Sequence, residues 1–119
     1  MTRHAFRLAG PGLRGVLAVA AVLLATGAQA ATTPENARKT CLNVSSMARS
    51  FMEARQRDVS MEDVMRATED MPKGTIPLAR EMINDAFVQA RQGTPQARQK
   101  AADDFEADYY ASCYDQLTQ

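Results

Sequence analysis

The sequence contains little histidine, cysteine and tryptophan, and these shortages exclude much chemistry. Among 119 residues there are one histidine, two cysteines and no tryptophan. The histidine, His4, falls in an N-terminal segment that we expect to be removed, which would leave no imidazole base or imidazole metal ligand. The cysteines are far apart and form no C-x-x-C redox motif. We therefore expect a protein that is not an enzyme and that binds no metal and no cofactor.

Long hydrophobic runs are also scarce. The one such run, VLAVAAVLLATG at 16–27, is shorter than the about 20 residues that a spanning helix needs. Basic residues precede the run, namely Arg3, Arg7 and Arg14. The small-x-small sequence Ala28-Gln29-Ala30 follows it, which is typical of a secretory signal peptide. We expect residues 1–30 to be a signal peptide cleaved after Ala30, with a retained anchor as the alternative, and residues 31–119 to be one periplasmic domain.

Neither sign of charge is in excess, since the whole chain has 14 basic and 14 acidic residues. Cleavage of the signal peptide would remove three arginines and leave 14 − 3 = 11 basic residues against 14 acidic ones. An acidic domain argues against nucleic acid and against an anionic membrane surface, because both favour a basic patch. The expected partner is another protein or a second copy of the chain.

Helical periodicity runs through the whole expected domain, with no competing strand pattern. Thr33-Pro34 and Thr94-Pro95 combine a cap residue with proline at the first helical position, and Ser60 is a third cap. Proline and glycine at 71–75 predict a loop, and Gly93 predicts a helix end. The sequence predicts an all-α fold, a small antiparallel four-helix bundle with helices at about 34–57, 61–70, 76–92 and 95–117.

The two cysteines are predicted to form a disulfide. The first and last helices of such a bundle run antiparallel. At about 1.5 Å per residue, Cys41 and Cys113 lie about 24 and about 27 Å from the same end of this pair. An exported domain with few large apolar residues also needs such a crosslink, because small cores are only marginally stable. We predict that a Cys41–Cys113 disulfide stabilises the bundle.

The tyrosines allow two interpretations. Tyr109 shares the apolar face of the last helix with Phe105, whereas Tyr110 and Tyr114 form an i, i+4 pair on its flank. The flanking rings either cover the disulfide or belong to a partner-binding surface, where tyrosine is enriched. The candidate partner surface consists of Tyr110, Tyr114, Asp115 and Arg38.

Methionine and glutamate present two further alternatives. Met61 and Met65 are spaced to offer two thioethers to Cu(I), but methionine at such positions usually fills a core. We interpret both as core residues. Glu106 falls near the cysteine face of its helix, so we expect it to be partly buried and paired with an arginine such as Arg49, rather than catalytic.

Several segments together resemble a family of small exported proteobacterial all-helical proteins with one cysteine in the first helix and one in the last. They are CLNVSSMARSFMEARQRDVS at 41–60, the proline loop, the Thr94-Pro95 start and F-x3-Y-x3-C at 105–113. Such proteins often have glycine at the position of Asp58. The resemblance implies a helical fold and an exported compartment, and it implies no activity.

Two functions are compatible with these features. The first is a protein-interaction module in the periplasm, such as an inhibitor or immunity-type partner of a larger protein. The alternative is a stress or chaperone-like protein whose methionine-rich faces bind unfolded clients.

Overall fold

Four helices make up the part of the chain that the computed structural model describes, residues 32–119. They are α1 (Pro34–Gln56), α2 (Met61–Ala67), α3 (Ile76–Phe87) and α4 (Pro95–Thr118). No strand occurs in this range, so the predicted all-α fold is confirmed. The expected signal peptide lies outside the described residues.

Three helices begin at the predicted cap residues. The hydroxyl oxygens of Thr33, Ser60 and Thr94 accept backbone N–H bonds of 3.3, 3.1 and 3.1 Å from the residues three positions later. Proline occupies the first turn of α1 and α4, where its missing N–H has no intrahelical partner to lose. These starts were predictable because all the atoms involved lie within one turn.

The predicted ends of α2 and α3 are wrong. α2 ends at Ala67 instead of residue 70, because the N–H groups of Thr68 and Met71 bond back three residues in tight turns. α3 ends at Phe87 instead of 92. The backbone of the following loop bonds to side chains of α1 instead of continuing the helix. Ala90, which lies within the predicted bounds of α3, is exposed.

The helices alternate in direction. From the Cys41–Cys113 bridge to the Arg49–Glu106 ion pair, the residue number increases along α1 and decreases along α4. These two helices are therefore antiparallel. α1 and α3 are parallel, since Val44 shares a groove with Leu78 while the guanidinium of Arg55 lies 5.4 Å from the ring centre of Phe87. α1 contacts all three other helices and is the central element of the bundle.

The core is formed by small residues and methionine around a few larger side chains. Met52, Met82 and Ile83 are fully buried, and Phe51, Val64 and Phe105 pack with them. Met65 packs against this core as predicted, but Met61 is 37% exposed. The core interpretation of Met61 is wrong because this residue opens a short helix whose only buried residue is Val64.

The predicted disulfide is present. Cys41 and Cys113 are bonded with a Cα–Cα distance of 5.6 Å, and neither cysteine of the described chain is free. The bridge joins the first half of α1 to the last turns of α4.

The end of α1 is a Schellman motif, and it places Asp58 in the left-handed region. The N–H groups of Asp58 and Val59 bond to the carbonyls of Arg55 and Ala54, both at 3.1 Å. Asp58 has φ 65°, a conformation that glycine adopts without steric cost. Its carboxylate also faces the negative end of the α1 dipole.

Asp58→Gly is therefore expected to stabilise the protein by about 0.5–1 kcal/mol. The substitution removes both the left-handed strain and the unfavourable charge, which should outweigh the extra freedom of glycine in the unfolded chain. Asp58→Asn removes only the negative charge. Asp58→Ala also removes the charge but keeps a Cβ atom, and so keeps the steric cost of the left-handed conformation. Denaturant unfolding measures all three variants, and equal stability of the Gly and Ala variants would contradict the explanation.

Candidate protein-binding surface

Tyr110 and Tyr114 form a stacked pair on the flank of α4. Their ring centres are 5.9 Å apart and the ring planes differ by 12°. Both side chains are half-buried, so part of each ring faces solvent. Large, rigid rings of this kind lose little conformational entropy when a partner covers them. The predicted i, i+4 pairing of the two rings is confirmed.

A pocket with an apolar part and a charged part continues from the ring pair across the seam between α1 and α4. Leu42 is 46% exposed, and it lines this pocket of about 440 Å³ together with Tyr110 and Ala107. We define the tyrosine face as Leu42, Ala107, Tyr110 and Tyr114. It combines an exposed aliphatic side chain with two half-buried rings and a depression beside them.

Arg49 also lines this pocket, and its guanidinium binds three carboxylates. Its guanidinium donates to Glu106 and Asp103 at 2.7 Å each and to Glu53 at 2.9 Å. The bonds to Glu106 and Asp103 raise the pKa of Arg49 further above its ordinary value, and the bond from Arg49 holds the pKa of Asp103 below its usual range. The predicted pairing of a partly buried Glu106 with Arg49 is confirmed, and the cluster has three acids for one base.

Tyr109 belongs to the core instead. Its ring centre lies 5.0 Å from that of Phe105, and its hydroxyl donates a hydrogen bond to the carboxylate of Asp85 on α3. Burial and the neighbouring Asp85 carboxylate raise the pKa of the Tyr109 phenol. This side chain therefore ties α4 to α3 and is unavailable to a partner.

Arg38 and Asp115, the other two residues of the candidate partner surface, lie on different sides of the bundle. Arg38 is exposed and is four residues before Leu42, so it extends the same stripe of α1 by one turn. Asp115 is exposed and accepts a bond of 2.9 Å from Gln119. Successive residues of a helix are about 100° apart, which puts Asp115 about 200° around α4 from Cys113, facing away from α1. The structure thus joins Tyr110 with Tyr114 and leaves Asp115 on the far side.

Leu42 was not predicted as a surface residue. It follows the buried Cys41 directly, so its exposure depends on which side of α1 the shorter helices cover. Only the spacing of four residues from Arg38 could have indicated that it shares an outward stripe.

No group of three or more metal-ligating side chains occurs within residues 32–119, and no helix in this range is long and apolar enough to cross a bilayer. The chain matches no family model, and comparisons with curated proteins and with solved structures gave no match.

Proposed function

We propose that this protein is a non-enzymatic interaction module of the periplasm, of the inhibitor or immunity type, that binds another protein through the tyrosine face. The observation that carries the proposal is the stacked, half-exposed Tyr110–Tyr114 pair beside the exposed Leu42. Tyrosine is enriched in protein interfaces, and apolar side chains that lie together on a surface can mark an interaction site. The disulfide is compatible with an exported, oxidised protein.

The chemistry of the pocket favours a basic side chain on the partner. An aliphatic stem of lysine or arginine can pack on Leu42 and Ala107, and its cation can lie against the ring of Tyr110. The acidic cluster begins at the same pocket, where Asp103 and Glu106 share the single guanidinium of Arg49. The surplus of carboxylates attracts a further positive charge.

A chaperone-like function is the second candidate. Met61 and Val88 are 37% and 84% exposed on other parts of the bundle. Scattered apolar side chains of this kind suit weak contacts with many unfolded clients. This function predicts that no single face dominates binding.

Alanine substitutions of the two rings test the proposal. Tyr110→Ala and Tyr114→Ala should each weaken capture of the partner by at least about fivefold, because an interface tyrosine is worth more than about 1 kcal/mol. The melting temperature should change little. Capture from periplasmic extract by the wild-type protein identifies the partner, and a titration of that purified partner measures the loss.

Val88→Ser is the matched control, since it removes an exposed apolar side chain outside the tyrosine face. One stoichiometric partner, lost in both tyrosine variants and retained in the control, supports the interaction module. Many clients, weakened equally by all three variants, would favour the chaperone-like function. Early melting of both tyrosine variants with binding unchanged would show that the rings only cover the disulfide.

A further inference from the structure

Four arginines surround the end of the bundle opposite to the disulfide. They belong to the end of α1, the loop at 88–94 and the first turn of α4, and they are Arg55, Arg57, Arg91 and Arg98. Three of them are fixed through Nε to backbone carbonyls. Arg55 donates to Gln89 at 3.1 Å, Arg91 to Gln56 at 3.0 Å and Arg98 to Gln92 at 2.8 Å.

These guanidinium groups lack acidic partners in the part of the chain that the structure describes. No carboxylate lies within ion-pair distance of any of the four, whereas Arg49 and Arg66 each bind more than one. The bonds to carbonyls use Nε alone, and the terminal amino groups of these three arginines make no hydrogen bond within residues 32–119. Four guanidinium groups therefore lie at this end, against the carboxylates of Asp58 and Glu53.

A pocket of about 360 Å³ opens between two of these arginines. Arg57 and Arg98 line it, Gln99 adds an amide, and Pro95 and Ala102 form an apolar part. Glu53 also borders the pocket, but its carboxylate accepts from Arg49 at 2.9 Å. The volume lies within the range of about 300–1,000 Å³ that is common for small-molecule sites.

We propose that this pocket binds a phosphate group, with Arg57 and Arg98 as its cationic ligands. A guanidinium presents paired N–H donors in a fixed plane that matches phosphate oxygens, and Arg98 is already held in place by its bond to Gln92. Pre-ordering of this kind lowers the entropic cost of binding. The same chemistry fits a soluble phosphate ester and the phosphate of an anionic lipid headgroup.

Titration of the full domain with inorganic phosphate and with glycerol 3-phosphate tests the proposal. Binding is monitored through the chemical shifts of the backbone amides. Vesicles of phosphatidylglycerol, compared with phosphatidylcholine, form the lipid arm. Arg57→Gln is the informative variant, because the Arg57 side chain makes no hydrogen bond within residues 32–119. Arg38→Gln removes the same charge from an exposed position about 28 Å away along α1, at 1.5 Å per residue.

We expect saturable binding with shifts at Arg98 and Gln99, at least fivefold weaker in Arg57→Gln and unchanged in Arg38→Gln. Binding of the soluble probes identifies a free phosphate ester as the ligand class. Binding confined to phosphatidylglycerol vesicles, with the same dependence on Arg57, identifies the headgroup phosphate. Absence of saturable binding to every probe, or equal weakening in both variants, would overturn the proposal.

Discussion

Replacing both cysteines by alanine is expected to lower the free energy of unfolding by about 4 kcal/mol in the chain-entropy model, because the bridge closes a loop of about 73 residues. The sequence separation of Cys41 and Cys113 is 72. Small domains have a total stability of about 5–15 kcal/mol, so the variant should be close to unfolding at ordinary temperatures. Alanine is preferred to serine because Cys41 is fully buried, where removing a hydroxyl from water costs more than burying a methyl group.

Denaturant unfolding of the double variant, and of the wild-type protein with and without reductant, measures the effect. The reduced wild-type protein should unfold at a lower denaturant concentration than the oxidised one, whereas reductant should not change the double variant. Intact mass should rise by two hydrogens on reduction. A double variant within about 1 kcal/mol of the wild-type protein would show that packing of α1 against α4 suffices without the bridge.

The sequence was sufficient for features that depend on local geometry or on one simple arrangement. Thr33, Ser60 and Thr94 cap helices through bonds that span three residues, so the helix starts could be predicted. Prediction of the disulfide required only that α1 and α4 be antiparallel, regular helices. The Tyr110–Tyr114 pair follows from the i, i+4 spacing alone.

Features that depend on distant contacts could not be predicted. The end of α3 is set by Gln56, which bonds to the loop across 34 and 36 residues. Helical periodicity does continue through residues 88–92, but hydrogen bonds to another helix override it. The exposure of Leu42 likewise depends on which side of α1 the other helices cover. Met61 is exposed because α2 is short and buries only Val64. The pocket between Arg57 and Arg98 was not predicted, because the net charge of a domain does not show how charge is distributed over its surface.

Gln56 connects the end of α1 to the loop at 88–94 from inside the protein. Its side chain is 3% exposed. The amide nitrogen donates to the carbonyl of Ala90 at 3.2 Å, and the amide oxygen accepts from the N–H of Gln92 at 2.8 Å. The backbone carbonyl of the same residue accepts from Arg91. The Gln92 side chain also donates to the Ala90 carbonyl at 3.3 Å, so it is the Gln92 N–H that depends on Gln56.

Gln56→Leu is therefore expected to lower the free energy of unfolding by about 1–3 kcal/mol, since a similar volume remains but the partly buried N–H of Gln92 loses its partner. Denaturant unfolding measures the loss. Hydrogen exchange of the Gln92 amide gives a local readout, because this amide should be protected in the wild-type protein and unprotected in the variant. Gln89→Leu is the control, because it changes an exposed glutamine of the same loop.

The same substitution tests why α3 stops at Phe87. Residues 88–92 read Val-Gln-Ala-Arg-Gln and include good helix formers, so without Gln56 their backbone groups can bond within a longer helix. We expect backbone chemical shifts of residues 88–90 in Gln56→Leu to move toward helical values, with α3 ending before Arg91, so that the Gln92 N–H gains no helical partner. The guanidinium of Arg91 would then leave the end of α1. A variant with full stability, a protected Gln92 amide and unchanged shifts would show that backbone preferences of the loop, and not Gln56, end the helix.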